Sequence, residues 1–375
     1  MNLFLRKRVD YTSGSLSALA FKKFIRNRLA FSAFIFIILL SIIAILGYLI
    51  TPDPTPKCNR QTLEIAVQNP GFHVDMLRLK KGEEVRHRGL IHRMVYGQAS
   101  AYQLVPVQDV RHEGDTLFAE VFTGDPGISG EEMAFEKSKV LLPPERYNFW
   151  LGTDQFGRDL LSRLMLGTRI SLSVGFIAVF ISLVIGVFIG SLGGFFRGWV
   201  DQLVMWLINV VWSIPTLLLV IAITFALGRG FWQVFIAVGL TMWVDVARVT
   251  RGQILAIREE EYIEAARALG FSKFRIILRH VLPNIAGPII VISAANFASA
   301  ILMEAGLSFL GLGVQPPMPS WGSMIRENYA YIILQASHLA ILPGIAIMLT
   351  VLAFMIIGNG LRDAFDVRTV ETRRT

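Results

Sequence analysis

Long apolar stretches, separated by short polar ones, dominate the pattern of this 375-residue sequence. A helix that crosses a bilayer needs roughly 20 apolar residues, because each residue rises about 1.5 Å through a hydrocarbon core about 30 Å thick. Six stretches are long enough. We therefore predict an all-α polytopic membrane protein whose six transmembrane helices lie at residues 29–50, 171–195, 203–227, 231–249, 284–303 and 338–357.

The pattern changes between the first and second of these spans. The segments TLEIAVQ, FHVDMLRL, AYQLVPVQDV and DTLFAEVF alternate apolar and polar residues, and Gly, Asn, Asp and Pro separate them. Alternation with a period of two is typical of β-strands. We predict a small, mostly β extracytoplasmic insertion between spans 1 and 2, with its folded part at about residues 57–144.

Charge orients the predicted spans. Seven lysines and arginines precede the first span, which places the N-terminus in the cytoplasm by the positive-inside rule. That span is longer than a signal-peptide core and lacks a small-residue cleavage site, so we expect it to be retained. The predicted organisation is a cytoplasmic N-terminal segment (1–28), span 1 (29–50), the insertion (51–150), a five-helix core (151–360) containing a cytoplasmic loop (251–283), and a cytoplasmic tail (361–375).

The composition of the chain excludes several classes of partner and site. Hydrophobic residues make up 53% of the chain and charged residues 17%, whereas soluble domains average about 25% charged. The net charge of +8 follows from the cations of the predicted cytoplasmic segments, so it indicates no nucleic-acid partner. Cys58 is the only cysteine, which excludes an intrachain disulfide and a cysteine metal site. A lipid anchor, a bond to another chain and a plain thiol all stay open for it.

Motifs for bond chemistry do not stand out in this sequence. It contains no GxxxxGK[ST] phosphate loop, no HExxH and no evident Ser/His/Asp arrangement. The histidines of the insertion lack the tight spacing of metal ligands. We therefore expect no catalytic residues, no metal site and no cofactor bound by this chain.

The segment EYIEAARALGFSKFRIILRHVLPN is polar although it lies between two apolar spans. Periodicity predicts one helix over residues 255–269, a turn with positive φ at Gly270, and a second helix capped by Ser272. The second helix would carry an apolar stripe of Phe274, Ile277, Leu278 and Val281. Ala265 and Ala266 would form a small-residue face for another protein, although an amphipathic loop on the inner leaflet explains the pattern equally well.

This segment resembles the EAA loop of ABC-transporter permease subunits. The residues that match its pattern at the right spacing are Glu264, Ala265, Ala266, Gly270, Leu282 and Pro283, whereas His280 departs from it. The stretches LGTDQFGRDLLSRLMLGTRISLSVG, LSFLGLGVQPPMPSWG, RNRLAFSAFIF and GNGLRDAFDVR resemble the dipeptide/oligopeptide/nickel permeases. The resemblance is to the second of the two permease chains of that family, the C type.

The resemblance implies an ATP-driven importer of di- or oligopeptides in a bacterial inner membrane, with both termini of this chain cytoplasmic. Its partners would be a homologous second permease, two ABC ATPase subunits that use ATP and Mg²⁺, an extracytoplasmic peptide-binding protein and the lipid bilayer. The EAA loop would couple the ATPases to the spans. Nickel complexes or other small solutes are the alternative cargo. The insertion would contact the binding protein or cap the entrance, or be a passive decoration.

Ionisable residues inside predicted spans are costly and mark candidate functional sites. Asp245 and Arg248, at i and i+3 in the fourth span, predict a local ion pair. Glu304 lies near the outer end of the fifth span. We expect it to face the pathway or the partner permease and to shape an outer gate, or else to reach the headgroups. A secondary transporter would need such groups for ion coupling, and a membrane enzyme would need a catalytic constellation.

Overall fold

The computed structural model describes residues 16–82, 88–124, 128, 130–228 and 230–365. Among them, five helices are long and apolar enough to cross a membrane. These are α2 (Arg28–Leu46), α4 (Leu160–Phe196), α7 (Phe231–Ile257), α10 (Ala286–Phe309) and α12 (His338–Phe365). Shorter helices are α1 (Leu16–Arg26), α3 (Leu90–Tyr96), α5 (Gly198–Trp212), α6 (Thr216–Leu227), α8 (Glu261–Ala268), α9 (Lys273–Ile276) and α11 (Trp321–Asn328). Residues 1–15 and 366–375 of the predicted terminal segments lie outside the described residues.

The third predicted span, 203–227, is broken in the structure. It consists of α5 and α6, which meet at an angle of 89°. The break falls just before Pro215, which lacks a backbone N–H and disfavours helical geometry in the residue before it. The bent pair makes a sixth span only if both helices are counted as one.

The second predicted span, 171–195, begins earlier than the apolar pattern indicates. Helix α4 has 37 residues and is therefore about 55 Å long, well beyond the hydrocarbon thickness. It starts at Leu160 because the carboxylate of Asp159 accepts a hydrogen bond from the backbone N–H of Ser162 at 2.8 Å. The first turns of α4 contain polar residues, so the hydropathy pattern does not show where the helix begins.

Glycines set the central helix contact of the bundle, between α4 and α7. Gly186, Gly190 and Gly194 follow one another at four-residue spacing on α4. A Cβ at Gly190 would lie 2.5 Å from the carbonyl oxygen of Ala247 on α7. Only glycine permits this approach, which is the usual way that membrane helices gain contact area. The two helices are thus held as one unit.

The insertion contains a five-stranded antiparallel sheet of order β4-β3-β2-β1-β5. Its strands are β1 (Phe72–Lys80), β2 (Tyr102–Glu113), β3 (Thr116–Val121), β4 (Glu132–Glu136) and β5 (Val140–Phe149). The predicted fold class, helical spans with a small β insertion, is thereby confirmed. The predicted strand in TLEIAVQ is wrong: a 3₁₀ turn at Leu63–Ile65 takes its place. Strands β4 and β5 were not predicted, since Pro143 and Pro144 interrupt the alternation of β5.

Residues 53–69 bond to the start of the membrane bundle and also pack on the sheet, where Ile65 shares an apolar core with Val74 and Met76 of β1. The backbone N–H of Asp53 donates to Ser162 Oγ at 2.8 Å, that of Thr62 to the Phe156 carbonyl at 3.1 Å, and that of Gln68 to Thr153 Oγ1 at 2.9 Å. These bonds tie the segment to the loop before α4 and to the first turn of α4. Residues 53–69 therefore connect the bundle to the sheet, whose first strand begins at Phe72.

Candidate functional site

The loop that joins α7 to α10 folds as two short helices with a turn at Gly270. Gly270 has φ +75°, so the predicted left-handed turn is confirmed. Ser272 then caps α9, its hydroxyl accepting from the N–H of Arg275 at 3.4 Å. Helix α9 continues through a π-helical turn, Ile277–Val281, and α10 starts at Ala286, three residues after Pro283.

The single helix predicted over residues 255–269 is wrong. Helix α7 ends at Ile257, and α8 starts at Glu261 after a turn. The guanidinium of Arg258 donates to the carbonyl of Phe195 at 3.0 Å and so joins this turn to the last turn of α4. That carbonyl is one of the unpaired acceptors at the end of α4, which makes it a good partner for a cation.

The two faces of this loop differ sharply. An apolar core holds Ile263, Ala266, Ile276, Ile277 and Val281 against the ends of α4 and α7. Ala266 is therefore buried inside its own chain, and its prediction as part of an accessible small-residue face is wrong. Ala265 and Glu264 are exposed, Leu282 is half-buried, and Pro283 is exposed. Only one alanine of the pair is open to a partner.

Three large apolar side chains of the loop face solvent. Leu269, Phe274 and Leu278 are 74%, 62% and 64% exposed. We call these three residues the apolar patch. The predicted stripe is thus divided, because Ile277 and Val281 point into the core while its other two members point outward. Large apolar side chains that are exposed beside charged residues are typical of a protein contact.

Arg267 and Arg275, which neighbour the apolar patch in the sequence, contact groups of their own chain. The guanidinium of Arg267 donates to the Arg258 carbonyl at 3.4 Å and lies 5.6 Å from the ring centre of Phe195, so both of these contacts are within the chain. Arg275 lies 4.6 Å from the ring centre of Phe271. Within the described part of the chain, Glu264 forms no ion pair, so its carboxylate is open to a partner.

Glu304 is fully buried within the chain, contrary to its predicted place at the headgroups or on the pathway surface. The hydroxyl of Ser308 donates to it at 2.7 Å and that of Ser171 at 3.2 Å. Ser320 contacts Ser308 at 3.3 Å between the two hydroxyl oxygens. A carboxyl group is tolerated inside a bundle only with such partners. Glu304 therefore links α4, α10 and the start of α11.

A buried ion network at the start of α4 was not predicted. Arg158 pairs with Asp154 at 2.6 Å and with Glu327 at 2.7 Å. Arg163 contacts the same two carboxylates at 3.4 and 3.2 Å. The network joins the entrance of α4 to α11. The available signal was the density of charge in TDQFGRDLLSR, directly before an apolar run.

Cys58 is buried against Tyr48 and Leu166. Its thiol donates to the carbonyl of Asp53 at 3.2 Å. Burial, with a smaller contribution from the carboxylate of Asp53, raises the pKa of the Cys58 thiol. These surroundings favour a plain thiol over a lipid anchor or a bond to another chain. Among the residues that the structure describes, no three His, Cys, Asp or Glu side chains converge as a metal site.

The ion pair predicted between Asp245 and Arg248 does not form. The guanidinium of Arg248 lies over the indole ring of Trp212, 3.5 Å from the ring centre. Asp245 is exposed on α7. The aromatic face competes successfully for the cation because the quadrupole of an indole attracts a guanidinium strongly where water is scarce.

Two family models match the chain. The model described as binding-protein-dependent transport system inner membrane component matches residues 166–371. The model of the N-terminal TM domain of oligopeptide transport permease C matches residues 15–69. Residues 70–165, which include the sheet, lie between the two matches. This boundary agrees with the bonds that tie residues 53–69 to the bundle.

Curated relatives match a little over half of the chain. The glutathione transport system permease protein GsiD of Pectobacterium atrosepticum is 43% identical over 217 residues, covering 58% of this chain and 72% of that protein. The protein of the same name from Escherichia coli is 44% identical over 217 residues, covering 58% and 71%. An inward-facing structure of the MetNI methionine ABC transporter aligns with 20% identity and a TM-score of 0.44, over 54% of this chain and 97% of that chain.

Proposed function

Because the chain belongs to the family of binding-protein-dependent transport system inner membrane components, as a permease subunit of an ABC importer, we propose that it imports short peptides. The matching relatives are named for glutathione transport, and glutathione is a tripeptide. The N-terminal match is to an oligopeptide permease model. Both support a cargo of a few residues with a peptide backbone.

The partners in this proposal are a homologous second permease, two ATPase subunits and a receptor outside the membrane. ATP and Mg²⁺ belong to the ATPase subunits. The chain lies in a bacterial inner membrane, with both termini and the loop of residues 258–285 in the cytoplasm. The sheet then faces the receptor.

The observation that carries the coupling role is the apolar patch of the loop. Leu269, Phe274 and Leu278 are exposed while the other face of the loop is fixed to the ends of α4 and α7. A partner that binds this patch moves the ends of both helices directly. The glycine contact between α4 and α7 passes that movement on as a rigid-body displacement. Docking of the ATPase on this patch is the simplest use of such an anchored surface.

Reconstitution tests the proposal. The chain is co-expressed with the neighbouring permease, ATPase and receptor genes, purified, and placed in proteoliposomes. We expect ATP-dependent uptake of labelled trialanine that requires the receptor. Uptake of nickel complexes or another solute without trialanine uptake contradicts the peptide cargo. A chain that purifies without any ATPase, and transports without ATP, contradicts the coupling role.

A further inference from the structure

The C-terminal half of α7 leaves one face uncovered, and that face carries a carboxylate. Asp245 is exposed, as are Gly252 and Ala256, while Arg248 and Val249 are half-buried. Their spacing of i, i+3, i+4, i+7 and i+11 places all five on one side of the helix. Asp245 is about 21 Å along the helix from its first residue, so it lies within the predicted span of residues 231–249, four residues before its inner end.

This face does not fit a lipid contact. An ionised carboxylate inside a span is costly, and the cost reaches about 2.5 to 3.5 kcal/mol at the bilayer centre even on the mildest scale. Among the five long helices that the structure describes, α7 is also the most enclosed: 67% of its most apolar 18 residues are buried, against 22–39% in the other four. A charged, uncovered face on the central helix of a permease points to water or to a second protein chain.

Asp245 is free to bind a cation. Its nearest candidate in sequence, Arg248, is held over Trp212 instead. Across the described ranges, no ion pair or hydrogen bond to the Asp245 side chain is present. Toward the end of α7, the same face carries only small residues, Gly252 and Ala256. It therefore leaves space beside Asp245. A Cβ at Gly252 would meet no atom within 4 Å.

We infer that Asp245 lines the translocation pathway and binds the protonated amino group of the cargo, so that the pathway selects solutes with a free ammonium. This inference rests on the proposed function. An ammonium–carboxylate contact fits a short peptide with an unblocked N-terminus. Arg248, one turn away and oriented by Trp212, keeps a positive charge beside the site. It therefore disfavours cargo whose only charge is positive.

Cysteine accessibility tests where this face lies. Cys58 is the only native cysteine and is fully buried, so background labelling is low. In the assembled complex, we expect the water-soluble cation MTSET to label Val249→Cys. The matched control is Leu39→Cys on α2, which is 53% exposed on an apolar span and should stay unlabelled. If MTSET labels neither variant, the assignment of this face to the pathway is overturned.

Cargo protection tests the role of Asp245 without the receptor. Free trialanine should slow the labelling of Val249→Cys, and N-acetyl-trialanine should need at least about a tenfold higher concentration, as expected for a lost charge-assisted contact. Adding Asp245→Asn should remove the difference between the two peptides, and Asp245→Glu should restore it. Asp363→Asn, an exposed acid at the end of α12, is the matched control and should leave the difference intact.

The outcomes separate the two proposals. If the wild-type complex transports trialanine but Asp245→Asn still prefers the free amine, only the inference about Asp245 fails. If the Asp245→Asn chain no longer retains the second permease, the carboxylate is an interface residue and the inference is overturned. If wild-type proteoliposomes take up a different solute and no peptide, the proposed peptide function itself fails.

Discussion

Arg158 and Glu327 form an ion pair with an N–O distance of 2.7 Å, although 169 residues separate them in the sequence. Both side chains are largely buried, with 3% and 15% exposed. Glu327 also accepts from Arg163 at 3.2 Å, and Asp154 contacts both guanidinium groups as well, so two carboxylates balance two guanidinium groups. The pair fixes α11 against the entrance of α4, which positions the segment between α10 and α12 over the bundle.

Glu327→Gln should destabilise the chain by about 3 kcal/mol, because two buried cations lose a charged partner. Unfolding in mixed detergent micelles measures this change. The matched control is Asp109→Asn, which removes an exposed partner of Arg111 and should cost less than about 1 kcal/mol. Similar losses in the two variants would show that the buried network contributes little.

Ala265→Trp should abolish ATPase binding without unfolding the spans. Ala265 is exposed on α8, so a large side chain there meets a partner and not the chain itself. Co-purification of the ATPase subunits is the measurement. Ala266→Trp should instead lower the stability of the chain, because Ala266 packs in the loop core. Ala134→Trp, exposed on β4, controls for added bulk. Full ATPase retention by Ala265→Trp would favour a loop that lies on the membrane surface.

Gly270→Val should uncouple ATP hydrolysis from uptake. A Cβ at Gly270 meets no neighbouring atom, so the cost comes from the backbone: φ is +75°, which a β-branched residue adopts only with strain. Gly270→Asn is the control, since asparagine tolerates the left-handed region better. The ratio of peptide taken up to ATP hydrolysed should fall for valine and stay near wild type for asparagine. Equal ratios would mean that the turn geometry does not matter for coupling.

Excision of residues 70–149 should leave the bundle intact and reduce receptor-stimulated uptake. The ends of this segment are adjacent, since the N–H of Gly71 donates to the carbonyl of Trp150 at 3.2 Å. A short Gly/Ser join therefore spans the gap. Complex assembly and uptake at rising receptor concentration are measured together. Unchanged uptake would identify the sheet as a passive decoration.

A wider excision of residues 57–149 provides the contrast. It removes residues 57–69, which bond to the loop before α4 through contacts such as that between Gln68 and Thr153. We expect this variant to assemble poorly. Equal assembly of the two excisions would contradict the assignment of residues 53–69 to the bundle.

Cys58 should resist alkylation across the alkaline range. Burial raises the pKa of its thiol above the ordinary value, which is about 8.5, so little thiolate forms between pH 7 and 9. Iodoacetamide labelling in the folded chain should stay low and should increase on unfolding. Because the folded pKa is raised, the associated stability is complete below the ordinary thiol pKa and declines as pH rises above it. Ser138→Cys on the exposed surface should label with the usual pH dependence.

Several features of this protein follow from its sequence alone. Apolar runs of membrane-spanning length determine the long helices, since no other backbone structure satisfies its hydrogen bonds within a bilayer except a closed barrel. Period-two alternation located three of the five strands. Gly270 and Ser272 determined the turn and cap in the loop because these depend on local backbone geometry and on one side chain.

Tertiary structure decided the rest. Which of Ala265 and Ala266 is accessible depends on how α8 sits against α4 and α7, which periodicity in eight residues does not define. Glu304 is buried because a hydroxyl of α4 and one of its own helix converge on it. Arg248 contacts Trp212 rather than Asp245 because the last residue of α5, just before its break with α6, lies next to α7. Sequence spacing reports neighbours along one helix, whereas the partners of buried and charged groups come from distant segments whose placement only the packed bundle determines.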